Sequence, residues 1–237
     1  MKHLRKILLI VFGVSLIMIS CKKSENNQLT AEEEQEGWQL LFNGKNHEGW
    51  RGYDKNHFPK KGWIVDNGSL TVLDEGGGGC IITEEKFSEF DLKLEFRMKE
   101  GANSGIKYYL VNDSINVGLE YQILDDQSYP DISEDSNHSL ASLYEMIPPK
   151  NKDSKPIGEW NSARIVSKND HVEHWLNGKK VLDFERGSER FRNLVEKSKY
   201  SVKYEGERFG ETEESPILLQ DHGDRVSFRN IKIKPMK

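Results

Sequence analysis

Apolar and polar residues alternate with a period of two through much of this chain, the signature of strands with one buried and one open face. Leu92, Leu94, Phe96 and Met98 alternate with Lys93, Glu95, Arg97 and Lys99. Residues 103–109 and 118–125 continue the pattern, with Leu119, Tyr121 and Ile123 on one face and Glu120 and Gln122 on the other. Two hairpins are predicted: 63–66 with 69–73 about Asn67-Gly68, and 171–176 with 181–184 about Asn177-Gly178. Further runs lie at 162–167, 217–220 and 226–233. In the last, the apolar phase jumps after Phe228, which predicts a bulge near Asn230. Helical spacing occurs only in Ser188 to Tyr200, through Phe191, Leu194 and Val195. Many short strands, frequent turns and one short helix predict an all-β sandwich of two antiparallel sheets.

The N-terminus departs from this pattern. Lys2, Arg5 and Lys6 precede an unbroken apolar run from Ile7 to Ile19, too short for a stable span of a bilayer. A basic start, a short apolar core and a small residue before the cut read as a signal peptide over 1–20. Met18-Ile19-Ser20-Cys21 resembles a bacterial lipobox, which implies lipidation of Cys21. The expected location is then the bacterial cell envelope, with the protein lipid-anchored to the outer membrane and facing the periplasm or the cell surface. Residues 21–36 are polar and acidic and are expected to form a flexible tether. Residues 37–237 suit one β-rich domain.

The formal net charge of -5 becomes more negative once Lys2, Arg5 and Lys6 leave with the leader. An acidic protein without a dense Lys/Arg cluster is not expected to bind nucleic acid. With Cys21 lipidated, Cys80 is a single thiol, read as a buried strand residue because no basic residue lies near it in sequence. Trp38, Trp50, Trp63 and Trp160 read as structural rather than as sugar platforms.

In a jelly roll the open face of one sheet is concave, and ligands lie across it. Strand parity places Arg97, Lys107, Glu120 and Gln122 on that face, with Gln220 and His222 sharing a parity on a later strand. His222 follows Asp221 and precedes Gly223, at a strand end where a ring can be presented to a cleft. Glu120, Asp125, Asp221 and His222 are also candidate ligands for a divalent metal, without a diagnostic spacing.

Several segments together resemble the 3-keto-disaccharide hydrolase family. They include Gly37-Trp38-Gln39-Leu40-Leu41-Phe42-Asn43-Gly44, Gly76-Gly77-Gly78-Gly79, Asn103-Ser104-Gly105-Ile106 and Glu120-Tyr121-Gln122-Ile123-Leu124-Asp125. Ser142-Leu143-Tyr144, Gly158-Glu159-Trp160-Asn161, Trp175-Leu176-Asn177-Gly178, Gln220-Asp221-His222-Gly223 and Phe228-Arg229-Asn230-Ile231 complete the series. The resemblance implies a concanavalin A-like jelly roll that cleaves glycosides oxidised at C3, by C2 proton abstraction, elimination and water addition. The shared predicted face and the family-like motifs together cast Glu120 or His222 as catalytic base and Arg97 and Lys107 as stabilisers of the enolate, with Asn103, Gln122, Asp125, Tyr144 and Asp221 also contacting the sugar. A non-catalytic lectin is the alternative use of such a fold. A two-carboxylate glycosidase built on Glu120 and Asp125 ranks third.

Overall fold

A computed structural model describes residues 25–133, 135–201 and 208–236, so the leader and Cys21 lie outside the described residues. In chain order the strands are β1 (Gln39–Leu40), β2 (Trp50–Gly52), β3 (Trp63–Asp66), β4 (Ser69–Val72), β5 (Ile81–Thr83), β6 (Glu89–Met98), β7 (Asn103–Tyr108), β8 (Leu119–Leu124), β9 (Asn161–Lys168), β10 (His171–Leu176), β11 (Lys179–Glu185), β12 (Leu218–Leu219) and β13 (Val226–Met236). The larger sheet runs β11-β10-β9-β6-β13-β4-β3, with β1 also paired to β13; the smaller runs β2-β5-β12-β7-β8. All pairings are antiparallel. The expected two-sheet sandwich is therefore what forms.

The period-2 residues explain why. Leu92, Leu94 and Phe96 of β6 face inward against Ile106, Tyr108, Tyr121 and Ile123 of the smaller sheet in one core. Each such side chain stabilises the fold by roughly 2 kcal/mol through burial alone. The predicted bulge is present: the β13–β6 register breaks between Arg229 and Lys232, and Asn230 has φ +51°. The predicted helix is α2 (Glu189–Lys197), N-capped by Ser188 and followed by a 3₁₀ turn over Lys199–Ser201.

The stretch expected to be a tether is docked over its described part. Thr30 caps a short helix, α1 (Ala31–Gln35), in a reciprocal capping box with Glu33. The Glu33 carboxylate accepts from Lys93 Nζ at 2.5 Å and Lys232 Nζ at 2.6 Å, both on the outer face of the larger sheet. Asn27 exchanges hydrogen bonds with Asn230 at the bulge and donates from Nδ2 to Gly68 O. Polar composition suggests solvation, but here the acids meet a complementary row of lysines contributed by distant strands.

Candidate active site

The register of the smaller sheet sets out two rows of side chains on its open face. Arg51, Ile82, Leu218, Lys107 and Glu120 stand opposite one another across β2, β5, β12, β7 and β8. The neighbouring row holds Tyr53, Cys80, Gln220, Gly105 and Gln122. A ribbon over 139–147 adds to the β8 edge: Gln122 N–H donates to Ser142 O, Tyr144 N–H donates to Glu120 O, and Tyr121 bridges Leu143. This extends the rows by Tyr144 and Ser142. The floor has an apolar half, where Cys80, Ile82 and Leu218 pack beneath Leu110, and a polar half around Glu120.

Glu120 is 4% exposed, and its Oε2 lies 3.3 Å from Lys107 Nζ, which also donates to Asn116 O. Burial raises the Glu120 pKa, and Lys107, Lys199 and His222 oppose that rise. Gly105 makes room for the carboxylate, since a Cβ there would stand 2.5 Å from Glu120 Oε1. Around it, Gln122 Oε1, Gln220 Oε1 and Ser142 Oγ are buried without a hydrogen-bond partner, as is Asn116 Oδ1 nearby. Buried polar atoms are ordinarily satisfied, so several orphans on one floor mark groups that a ligand can engage. The arrangement offers a desolvated carboxylate, an adjacent ammonium and uncommitted oxygen atoms, which suits proton transfer at a polyhydroxylated ligand.

A family model described as the 3-keto-alpha-glucoside-1,2-lyase-like domain matches residues 37–234. The chain belongs to this family. A 3-keto-disaccharide hydrolase of Bacteroides thetaiotaomicron is 35% identical over 244 aligned positions, covering 91% of this chain and 84% of that protein. A crystal structure of a candidate glycosyl hydrolase from Parabacteroides distasonis aligns with TM-score 0.79 at 33% identity, covering 90% of this chain and 100% of that one. The exoplasmic/lumenal domain of VIP36, in its Ca2+/Man3GlcNAc-bound form, aligns with TM-score 0.50 at 10% identity, covering 86% of this chain and 90% of that one. That last likeness is one of fold alone, and the fold is the expected concanavalin A-like jelly roll.

Within this lyase-like domain the expected site residues separate into groups. Lys107, Glu120, Gln122 and Tyr144 share the open face of the smaller sheet. His222 is exposed beyond Gln220 and close enough for its charge to act on Glu120. Asn103 shares that face too, its Oδ1 accepting from Gln122 Nε2 at 3.3 Å. Arg97 is a correction: it lies on β6 of the other sheet, its guanidinium over the Trp160 ring at 4.8 Å. Alternation gives a residue's face but not which sheet the strand joins. Asp125 and Asp221 also hold backbone in place. Asp125 Oδ2 accepts from Gly101 N–H and Ser128 Oγ–H. Asp221 Oδ2 accepts from Gly78 and Gly79 N–H, and Oδ1 from Gly223 N–H. The glycine run permits that clamp, since a Cβ on Gly76 would stand 2.1 Å from Asp221 Oδ1.

Glu120, Asp125, Asp221 and His222 therefore do not fit a metal ligand set, and no group of three or more His, Cys, Asp or Glu is placed to hold one among the described residues. Cys80 is buried as expected, although the fold brings Lys107 near it. Burial nevertheless dominates and pushes the thiol up to about 11. Sequence reasoning missed Ser142, Asn116 and Lys199; Lys199 Nζ sits 4.2 Å over the Tyr144 ring. The alternation Ser142-Leu143-Tyr144 is the one local signal for the ribbon, and three residues are too few to declare a strand.

Proposed function

We propose that this protein cleaves the glycosidic bond of 3-keto-glycosides, with Glu120 as the base. The observation that carries this reading is the buried Glu120 carboxylate, raised in pKa, beside Lys107 and amid unpartnered oxygens. The family match and the relative named 3-keto-disaccharide hydrolase supply the substrate class. A C3 ketone acidifies the C2 hydrogen. Glu120 takes that proton, and the C2–H electron pair delocalises onto the C3 oxygen, where the Lys107 ammonium stabilises the enolate. The enolate collapses, C1=C2 forms, the C3 carbonyl returns, and the C1–O bond breaks with its electrons leaving on the aglycone oxygen. His222, at the exposed rim, donates the proton that oxygen needs. Once the aglycone has left, Glu120 exchanges the proton it took with solvent; water then adds at C1 and returns a proton to His222, Glu120 reprotonates C2, and the sum is hydrolysis.

The lectin reading accounts for the uncommitted oxygens but gives no use for a desolvated carboxylate paired with a lysine. The two-carboxylate reading loses Asp125, whose side chain is occupied by Gly101 and Ser128. Glu120→Gln is expected to lower kcat on a 3-keto-glucoside by about 10²–10⁴-fold, the usual contribution of a general base. Turnover in heavy water is expected to place deuterium at C2 of the released sugar, beyond a no-enzyme control for exchange beside the ketone. Retention of the original C2 hydrogen at early times overturns the elimination route.

The cell-envelope location belongs to the same proposal. Lipid on Cys21 would hold the domain at a membrane, and Cys21→Ser is expected to move the protein from the membrane to the soluble fraction. Continued sedimentation of that variant with membranes excludes the anchor.

A further inference from the structure

His174 lies between the two sheets, far from any expected chemistry, with no exposed surface. Its Nδ1 is 3.2 Å from Ala141 O and its Nε2 is 2.7 Å from Tyr108 Oη. A carbonyl only accepts, so Nδ1 carries the proton and Nε2 accepts from the tyrosine hydroxyl. The ring also packs on Tyr121, centroid to centroid 4.8 Å. One imidazole thus touches β7 beside Lys107, β8 beside Glu120, and the ribbon beside Ser142. That ribbon is strained: Ala141 has φ +67° and Glu145 has φ +70°, left-handed backbone at non-glycine residues on either side of Ser142–Tyr144. Such conformations persist only where surrounding structure fixes them.

We propose that His174 is a positioning residue, whose Nδ1–H bond to Ala141 O holds the strained ribbon so that Ser142 Oγ and Tyr144 meet the sugar bound over Glu120. The ribbon is also held by its bonds to the β8 edge, by Leu140 N–H on Asp126, by contacts of Glu145 with Asn137, His138 and Lys199, and by Leu140, Leu143 and Met146 in the core, but the strained Ala141 carbonyl is met by the His174 ring. Glu120, by contrast, is fixed by the full β7–β8 ladder. Loss of the brace should therefore weaken substrate binding more than it slows the proton transfer. The kinetic consequence rests on the sugar-cleaving reading of the floor; the brace itself does not.

The test compares two variants at a temperature where both are folded. In His174→Gln the side-chain amide reaches the Tyr108 hydroxyl but leaves Ala141 O without its donor. In the double variant His174→Asn with Tyr108→Phe, the shorter amide donates to Ala141 O and the stranded hydroxyl is removed. Hydrogen–deuterium exchange of the 139–147 amides is expected to rise about tenfold in His174→Gln, as does KM for a 3-keto-glucoside, with kcat within about threefold; tenfold is what one hydrogen bond of ordinary strength is worth. The double variant is expected to restore both. Unchanged ribbon exchange, a rise spread evenly over both sheets, or faster ribbon exchange with unaltered KM overturns the proposal. If His174→Gln does not fold, the double variant decides alone, through wild-type or raised ribbon exchange and KM. If the wild type turns over no 3-keto-glucoside, the functional reading fails and the exchange comparison still judges the brace.

Discussion

At the scale of single residues, the site depends on a side chain that is missing. Gly105 stands between Gln220 and Gln122 on the floor, and the Glu120 carboxylate leans into the space it leaves. Its backbone is not in the left-handed region, so alanine is tolerated by the strand itself. Only the flexible end of Glu120 must move, because a Cβ would meet Oε1 at 2.5 Å and Cγ at 3.1 Å. Removing glycine freedom from the unfolded chain stabilises by roughly 0.4–1 kcal/mol at a compatible position. Gly105→Ala is thus expected to keep or raise the melting temperature while lowering kcat by more than about tenfold, since a base displaced by about 1 Å loses its reach. Circular dichroism melts and initial rates check the pair of outcomes. A variant with wild-type kcat would show that the carboxylate does not act from this position.

At the scale of elements, the N-terminal segment is part of the domain. Asn27 side-chain bonds satisfy Asn230 N–H at the β13 bulge and Gly68 O at the β3–β4 turn. Asn27→Ala orphans both, and at roughly 1–3 kcal/mol for a stranded buried group the expected loss is about 2 kcal/mol in urea unfolding. A change under about 0.5 kcal/mol would mean the segment is not docked in solution. Element by element, the strands with strong alternation were legible: β6 through β11, the two Asn-Gly hairpins and the bulge all fall where the pattern puts them. Legibility failed where a segment's partner is remote in sequence. The 25–36 segment looks solvated until Lys93 and Lys232 are brought beneath it. The two- and three-residue strands β1, β2 and β5 are too short to show a period, whereas β12 falls within the predicted run 217–220. For the site, the Lys107, Glu120 and Gln122 parity was readable because β7 and β8 are adjacent and long. Arg97 had the right chemistry, but the sheet its strand joins could not be read from local order.

At the scale of the whole molecule, one buried and one half-buried group make the fold acid-labile. Burial dominates at His174, lowering its pKa from 6.5 to about 4 despite the backbone carbonyls that favour its proton. The unfolded chain therefore binds this proton first as pH falls, and stability declines from pH 6.5 down to about 4, then levels. Each pH unit between the folded and unfolded values is worth about 1.4 kcal/mol, so the loss approaches roughly 3 kcal/mol. Glu33 acts in a second, lower window. Burial alone would raise its pKa, but hydrogen bonds from Lys232 and Lys93 overcome it and hold the group at about 2. Its stabilisation is present above pH 4.5 and drains as pH falls toward 2, releasing α1 from the outer face of the larger sheet. His171 has the opposite sign, raised by its hydrogen bond to Glu185, so its support fades as pH rises; at 39% side-chain exposure it is screened and weak. Wild-type unfolding free energy should accordingly fall between pH 7 and 4, and His174→Gln, which carries no titrating group there, should show a decline smaller by roughly 2–3 kcal/mol. The measurement is a series of urea titrations in half-unit pH steps. Parallel curves for the two proteins would mean that His174 is protonated in the folded state, with a rearranged contact to Ala141. A decline confined to below pH 4.5 would assign the acid lability to Glu33 and its lysines instead.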